Sequence, residues 1–124
     1  MPETAHDLAT EIRDLLVARR YFWASEYELQ AGIGSVLETA GYDVDAEHHL
    51  GAAGRIDFLV AGRVGVEVKV KGALPPLIRQ LYGYAKDARI GALVVASTRA
   101  VHRGVPDEIA GVPVVVAPLV GDLL

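Results

Sequence analysis

The sequence predicts an α/β fold: a mixed central β-sheet of about five strands, flanked by helices. Three observations carry this. Hydrophobic residues make up 52% of the 124-residue chain, enough for one domain with a real core. The apolar pattern changes period along the chain, reading helix, helix, strand, strand, strand, helix, strand, turn, strand. A three-stranded meander followed by a helical crossover to further strands suits a mixed sheet with helices on both faces.

Thr4 to about Arg19 reads as a helix, with Leu8, Ile12, Leu15 and Leu16 on one face. Tyr21-Phe22-Trp23-Ala24 then connects to a second helix. Ser25 and Glu28 form S-x-x-E, a capping box, and the helix runs through Leu29, Ile33, Val36 and Leu37 to Gly41. Tyr42–Leu50 reads as a strand, and Gly51–Gly54 as a turn. Arg55–Val60 and Val64–Lys71 are strands joined by the short Ala61-Gly62-Arg63, hence an antiparallel hairpin. Pro75-Pro76 opens a helix to about Ala88, with Leu77, Ile78, Leu81 and Ala85 facing inward. Ala92–Ser97 is a buried strand, Pro106–Ala110 a helical turn, and Val112–Ala117 the last strand.

No run of about 18 apolar residues exists, so no membrane partner is expected. The acidic, helix-patterned N-terminus is unlike a signal peptide, and a cytoplasmic location is expected. The chain has no cysteine, which excludes thiolate zinc sites and iron–sulfur clusters. Net charge is −4, but it is divided unevenly: residues 1–54 carry −7 and residues 55–103 carry +6. Local charge governs attraction for phosphates, so the basic middle segment is the candidate nucleic-acid surface. A mean hydropathy of +0.29 points to apolar surface left for a partner copy.

The basic segment contains RIDFLVAGRVGVEVKVKG, residues 55–72. Strand residues two apart share a face, so Glu67 and Lys69 lie together while Val66, Val68 and Val70 face the core. Ile56 and Phe58 point one way and Asp57 the other, so the hairpin can gather Asp57, Glu67 and Lys69. Two carboxylates and a backbone carbonyl make an oxygen-rich site of the kind hard cations prefer, and a lysine beside them can orient water and stabilise charge on a phosphate. A solvent-facing salt-bridge ladder would show the same pattern, so the triad alone leaves both readings open. Glu26 falls on the stripe with Leu29 and Ile33 and faces the sheet, whereas Glu28 lies on the polar side. Glu26 is therefore the better third acid, with helix-dipole stabilisation as its other reading. Gln80 and Tyr84, four apart, form one polar edge on an otherwise apolar helix.

Together these residues resemble the PD-(D/E)xK nuclease superfamily, with its restriction-endonuclease-like core. The matching segments are SEYELQ at 25–30, GRID at 54–57, EVK at 67–69 and QLYGY at 80–84, the last similar to the Q-x-x-x-Y motif of the RecB-type branch. Ile56 stands where the motif's proline would be. The resemblance covers about residues 25–117 of a single domain spanning 1–124 and leaves 1–24 as an N-terminal helical extension. It implies that Asp57, Glu67 and the Val68 carbonyl bind Mg²⁺ or Mn²⁺. Glu26 would be a further or outer ligand, Lys69 would position the attacking water, and Gln80 and Tyr84 would support them. Size and the absence of further domains resemble archaeal-type and phage Holliday-junction resolvases, which implies a homodimer acting on branched DNA.

Arg55, Arg63, Lys71 and Arg79 flank the site in sequence and are the candidate DNA contacts. Glu47, His48 and His49 sit in a strand where adjacent side chains diverge; the histidines read as strand surface, and Glu47 as a possible neighbour of the site. Arg19–Trp23 mixes cations and aromatics, as stacking surfaces do, but packing against the core or a second copy is the better reading. Two other functions compete with junction cutting: a nuclease of the same fold acting on flaps, ends or foreign DNA, and a non-catalytic DNA-docking subunit.

Overall fold

The computed structural model describes residues 2–123. Helix α1 (Ala5–Val17) leads into strand β1 (Arg20–Trp23), helix α2 (Glu26–Thr39) and strand β2 (Val44–His49). A short 3-10 turn (Gly51–Ala53) precedes β3 (Arg55–Val60) and β4 (Val64–Lys69). Helix α3 (Leu74–Ala85) crosses to β5 (Ala92–Ser97). A second 3-10 turn (Ala100–Gly104), β6 (Glu108–Ile109), β7 (Val112–Pro118) and β8 (Val120–Leu123) complete the chain.

Six strands form the main mixed sheet, in the order β2-β3-β4-β5-β7-β6. β2, β3 and β4 are antiparallel neighbours, and β4, β5 and β7 are parallel. The central β5 is buried along its whole length, as expected of a strand covered by helices on both faces. On one face α1 and α2 bury Ile12, Leu16, Leu29 and Ile33 against Phe58, Val66, Val68 and Val94. On the other, α3 buries Leu77, Leu81 and Tyr84 against Leu59, Leu93 and Val95.

Several local expectations change. Residues 1–24 are not an extension. Leu8, Ile12 and Leu16 are at most 2% exposed, and each such burial is worth roughly 1.5–3 kcal/mol. The expected connector Tyr21–Trp23 is strand β1, which pairs in parallel with β8 in a small second sheet, Arg20 opposite Val120. That pairing needs a glycine: a Cβ on Gly121 would lie 2.0 Å from the Tyr21 carbonyl oxygen. The short tail after Ala117 gave no periodic signal to reveal it. The helical turn expected at Pro106–Ala110 lies earlier, at Ala100–Gly104, and Glu108–Ile109 is a two-residue edge strand paired with β7. Only the forward half of the α2 capping box forms: Ser25 Oγ accepts the Glu28 amide at 3.2 Å, while Glu28 itself is exposed. The reciprocal box occurs instead on α1, between Thr4 and Asp7.

Candidate metal and phosphate site

The hairpin forms its ladder only as far as Phe58 opposite Val66. Beyond that point Asp57 Oδ2 accepts the Val68 amide at 2.7 Å, the role a carbonyl would fill in a continued ladder. The Asp57 amide in turn points to Glu67 Oε1 at 3.4 Å. Alternation breaks here as well. Ile56 packs on the α3 side and Phe58 on the α1/α2 side, so the two do not share a face as strict alternation predicts. Gly65 permits this, because a Cβ there would lie 2.4 Å from Ile56 Cδ1 and 2.9 Å from Leu93 Cδ2.

Asp57, Glu67 and Lys69 are brought together. Glu67 is 3% exposed, and Lys69 Nζ is 3.3 Å from Glu67 Oε2. Burial, reinforced by the nearby Asp57 charge, pushes Glu67 up to about 7 against the pull of Lys69. Burial also raises Asp57, opposed by the Val68 amide and by Lys69. Glu26 projects from the start of α2 to the end of β4, where Oε1 accepts the Val70 amide at 3.2 Å. The helical-face argument thus separates the two glutamates as the structure does.

Gln80 and Tyr84 meet the site through Glu67, not through Lys69. Gln80 Nε2 donates to Tyr84 Oη at 2.8 Å. The Tyr84 hydroxyl, buried, lies 2.9 Å from the Arg55 carbonyl and 3.3 Å from Glu67 Oε1. Its one proton can serve either acceptor, and burial beside the two carboxylates raises its pKa.

Among the described residues no group of three His, Cys, Asp or Glu side chains gathers closely enough to hold a metal ion. A cation held here would have Asp57 and Glu67 as its side-chain donors, with the Val68 carbonyl, water or substrate oxygen as further ligands. That set suits Mg²⁺, which is commonly held by one or two carboxylates together with water and substrate phosphates. The charge also fits: Asp57 and Glu67 are raised chiefly by burial, which disfavours their charged forms, and a divalent cation would stabilise those forms.

The expected DNA contacts separate. Lys71 lines a 360 Å³ cleft with Lys69, Gln80 and His102. Arg79 is exposed on α3. Arg55 is exposed but lies 3.7 Å from Glu47, which uses Glu47 as a surface partner of Arg55. Arg63 is not near the site: it lies before Val64, at the opposite end of β4 from Lys69, and donates to the Pro2 carbonyl at 3.3 Å. His48 is held between Asp45 and Arg89, whose guanidinium donates to His48 Nε2 at 2.7 Å. His49 is exposed. Of the Arg19–Trp23 cluster, Tyr21 and Trp23 are buried and Phe22 is exposed.

Sequence reading missed His102. It is completely buried, with Nδ1 2.6 Å from Ser97 Oγ and Nε2 2.8 Å from the Gly72 carbonyl. Ser97 stands opposite Lys69 in the β4–β5 register. A single histidine in a turn has no spacing that could have revealed these contacts.

Compared with protein-family models, curated proteins and solved structures, the chain matches none of them. No helix among the described residues is long and apolar enough to cross a membrane.

Proposed function

We propose that the protein is a Mg²⁺- or Mn²⁺-dependent deoxyribonuclease that hydrolyses phosphodiester bonds internally. One observation carries this reading: two desolvated carboxylates, Asp57 and Glu67, flank Lys69 where the β3–β4 hairpin opens. Asp57, Glu67 and the Val68 carbonyl would hold the metal, which would polarise the phosphate and lower the pKa of an attacking water. Lys69, tied to Glu67, orients that water and offsets charge growing on the phosphoryl oxygens. Tyr84 and Gln80 hold Glu67 in place, and Glu26 fixes the end of β4 through Val70. The resemblance to PD-(D/E)xK nucleases supports the same roles.

The finer reading is cutting of branched DNA, including four-way junctions, by paired copies. The exposed side chains of Phe22 and Val120 on the small β1–β8 sheet offer apolar surface for a second copy. The deciding experiment incubates labelled four-way junction, flap, duplex and single strand with and without Mg²⁺ or Mn²⁺, using Lys69→Ala as control. Paired nicks on the junction, absent in the variant, are expected. Cleavage of a different DNA would retain the chemistry and replace the target.

A second reading is a DNA-docking subunit without hydrolysis. One observation favours it: Asp57 and Glu26 are bonded to backbone amides, and among the described residues no third acid lies close enough to share a metal ion with Asp57 and Glu67. Binding without cleavage of any DNA would select it.

A further inference from the structure

The charge division along the sequence is carried by the helices on the two faces of the sheet. On one side, α2 carries Glu26, Glu28 and Glu38 with no Lys or Arg, and α1 carries Asp7, Glu11 and Asp14 against Arg13. On the other, α3 carries Arg79 and no acid, with Lys86 at its C-cap. The 360 Å³ cleft between β4 and α3 is lined by Lys69, Lys71, Gln80 and His102, and by no carboxylate.

The 3-10 turn after β5 lies at the same end of the sheet, because β4 and β5 are parallel with Lys69 opposite Ser97. Arg99 precedes it and Arg103 lies within it; both are exposed. Buried His102, between them in sequence, ties this turn to the Gly72 carbonyl and to Ser97. The turn also packs on the start of α3, where a Cβ on Gly104 would lie 3.0 Å from Leu74 Cδ2. His102, which lines the cleft, therefore ties together two cationic loops, one carrying Lys71 and the other Arg99 and Arg103.

These cations differ from those that are already neutralised. Arg13, Arg55, Lys69 and Arg89 each have a carboxylate within salt-bridge distance. The side chains of Lys71, Arg79, Arg99 and Arg103 have no such partner among the described residues. Gathering like charges costs free energy in the absence of counter-ions, and a buried polar clamp holds them there. Pro75 and Pro76 remove two amide donors from the first turn of α3, so anion binding falls to the side chains rather than to the helix end.

We propose that Lys71, Arg79, Arg99 and Arg103 form a one-sided docking track for the phosphates of DNA, with the acidic α1/α2 side turned away. This rests on the nuclease reading for the identity of the polyanion and adds the face, the register and two arginines to it.

The test is fluorescence anisotropy of a fluorescein-labelled DNA duplex in EDTA, titrated across a range of salt concentrations. Wild type is compared with Arg99→Glu/Arg103→Glu, with Lys71→Glu, and with Arg13→Glu/Arg19→Glu as a charge-matched control. Circular dichroism checks that each variant is folded. The track requires the Arg99/Arg103 variant to bind at least about tenfold more weakly. Its slope of log K against log salt should be shallower by about 1.8, the value for two lost phosphate contacts. Lys71→Glu should weaken binding in the same direction, and the control should stay within about twofold of wild type.

The track is overturned if the Arg99/Arg103 and Lys71 variants bind as wild type does, if the control loses as much, or if wild type does not bind the duplex. Cleavage with Mg²⁺, run in parallel, separates this from the nuclease reading. Salt-dependent binding through these residues without cleavage of any DNA keeps the track and removes the nuclease. Cleavage and binding both untouched by charge reversal do the opposite.

Discussion

The Asp57 carboxylate accepts the Val68 amide at 2.7 Å, across the mouth of the β3–β4 hairpin. A side chain thus completes what the backbone ladder leaves open, and it sets the acid beside Glu67 and Lys69. The arrangement links folding to chemistry: the carboxylates that would hold a cation also bridge the open end of the β3–β4 ladder.

Glu67 gives the sharpest pH signature. Its folded pKa is raised to about 7 from an ordinary 4.5. The folded state therefore holds its proton more tightly, and the associated stability is present below about 4.5 and lost as pH rises through about 7. Glu67→Gln should escape that loss. Chemical denaturation at pH 5 and pH 8 is expected to show the variant gaining on wild type by on the order of 1–2 kcal/mol over that interval. An equal difference at both pH values would contradict the raised pKa.

Cation binding should follow the same titration in reverse. Mg²⁺ competes with the proton on Glu67, so added Mg²⁺ should raise Tm at pH 8 and much less at pH 6. Asp57→Asn should abolish the rise at both. A pH-independent rise that persists in the variant would place the ion elsewhere.

Glu26 and Glu28 are separated by one turn geometry. Glu26 bonds the Val70 amide, whereas Glu28 offers only its own amide to Ser25. Glu26→Gln should reduce nuclease turnover by tenfold or more, while Glu28→Gln should change turnover and stability little. The reverse ranking in a Mg²⁺ cleavage assay would move the third acid to Glu28.

Gly65→Ala should be destabilising by roughly 1–3 kcal/mol, because the new Cβ meets both Ile56 and Leu93. Displacing Ile56 also shifts its neighbour Asp57, so metal-dependent stabilisation should fall with it. Denaturation with and without Mg²⁺ measures both; an unchanged midpoint would show that Ile56 repacks freely.

Much of this architecture was legible because its signals are periodic. Val66, Val68 and Val70 alternate, α3 shows its apolar stripe, and the two turns around β3 are rich in glycine. The placement of the candidate site residues was legible for the same reason: Glu67 and Lys69 share a strand face, Glu26 a helix face with Leu29. What escaped depends on partners far away in sequence. β1 is a strand only because Gly121 lets the tail approach Tyr21. Ile56 changes sides only because Gly65 leaves room. Arg63 looked close to the site in sequence, but a strand's length separates it from Lys69. His102 acquires its role from Gly72 and Ser97, which no spacing rule connects.

The β1–β8 pairing has a kinetic consequence. Arg20 and Val120 are partners 100 positions apart, and loop closure over that distance is entropically slow relative to the neighbouring β3–β4 hairpin. The strand leading into Ser25 and Glu26 thus gains its partner only once residues 120–123 are present. During synthesis the Asp57–Glu67–Lys69 hairpin can form early, and α2 can pack on it through Leu29 and Ile33, while the β1 segment that leads into Glu26 waits for residues 120–123.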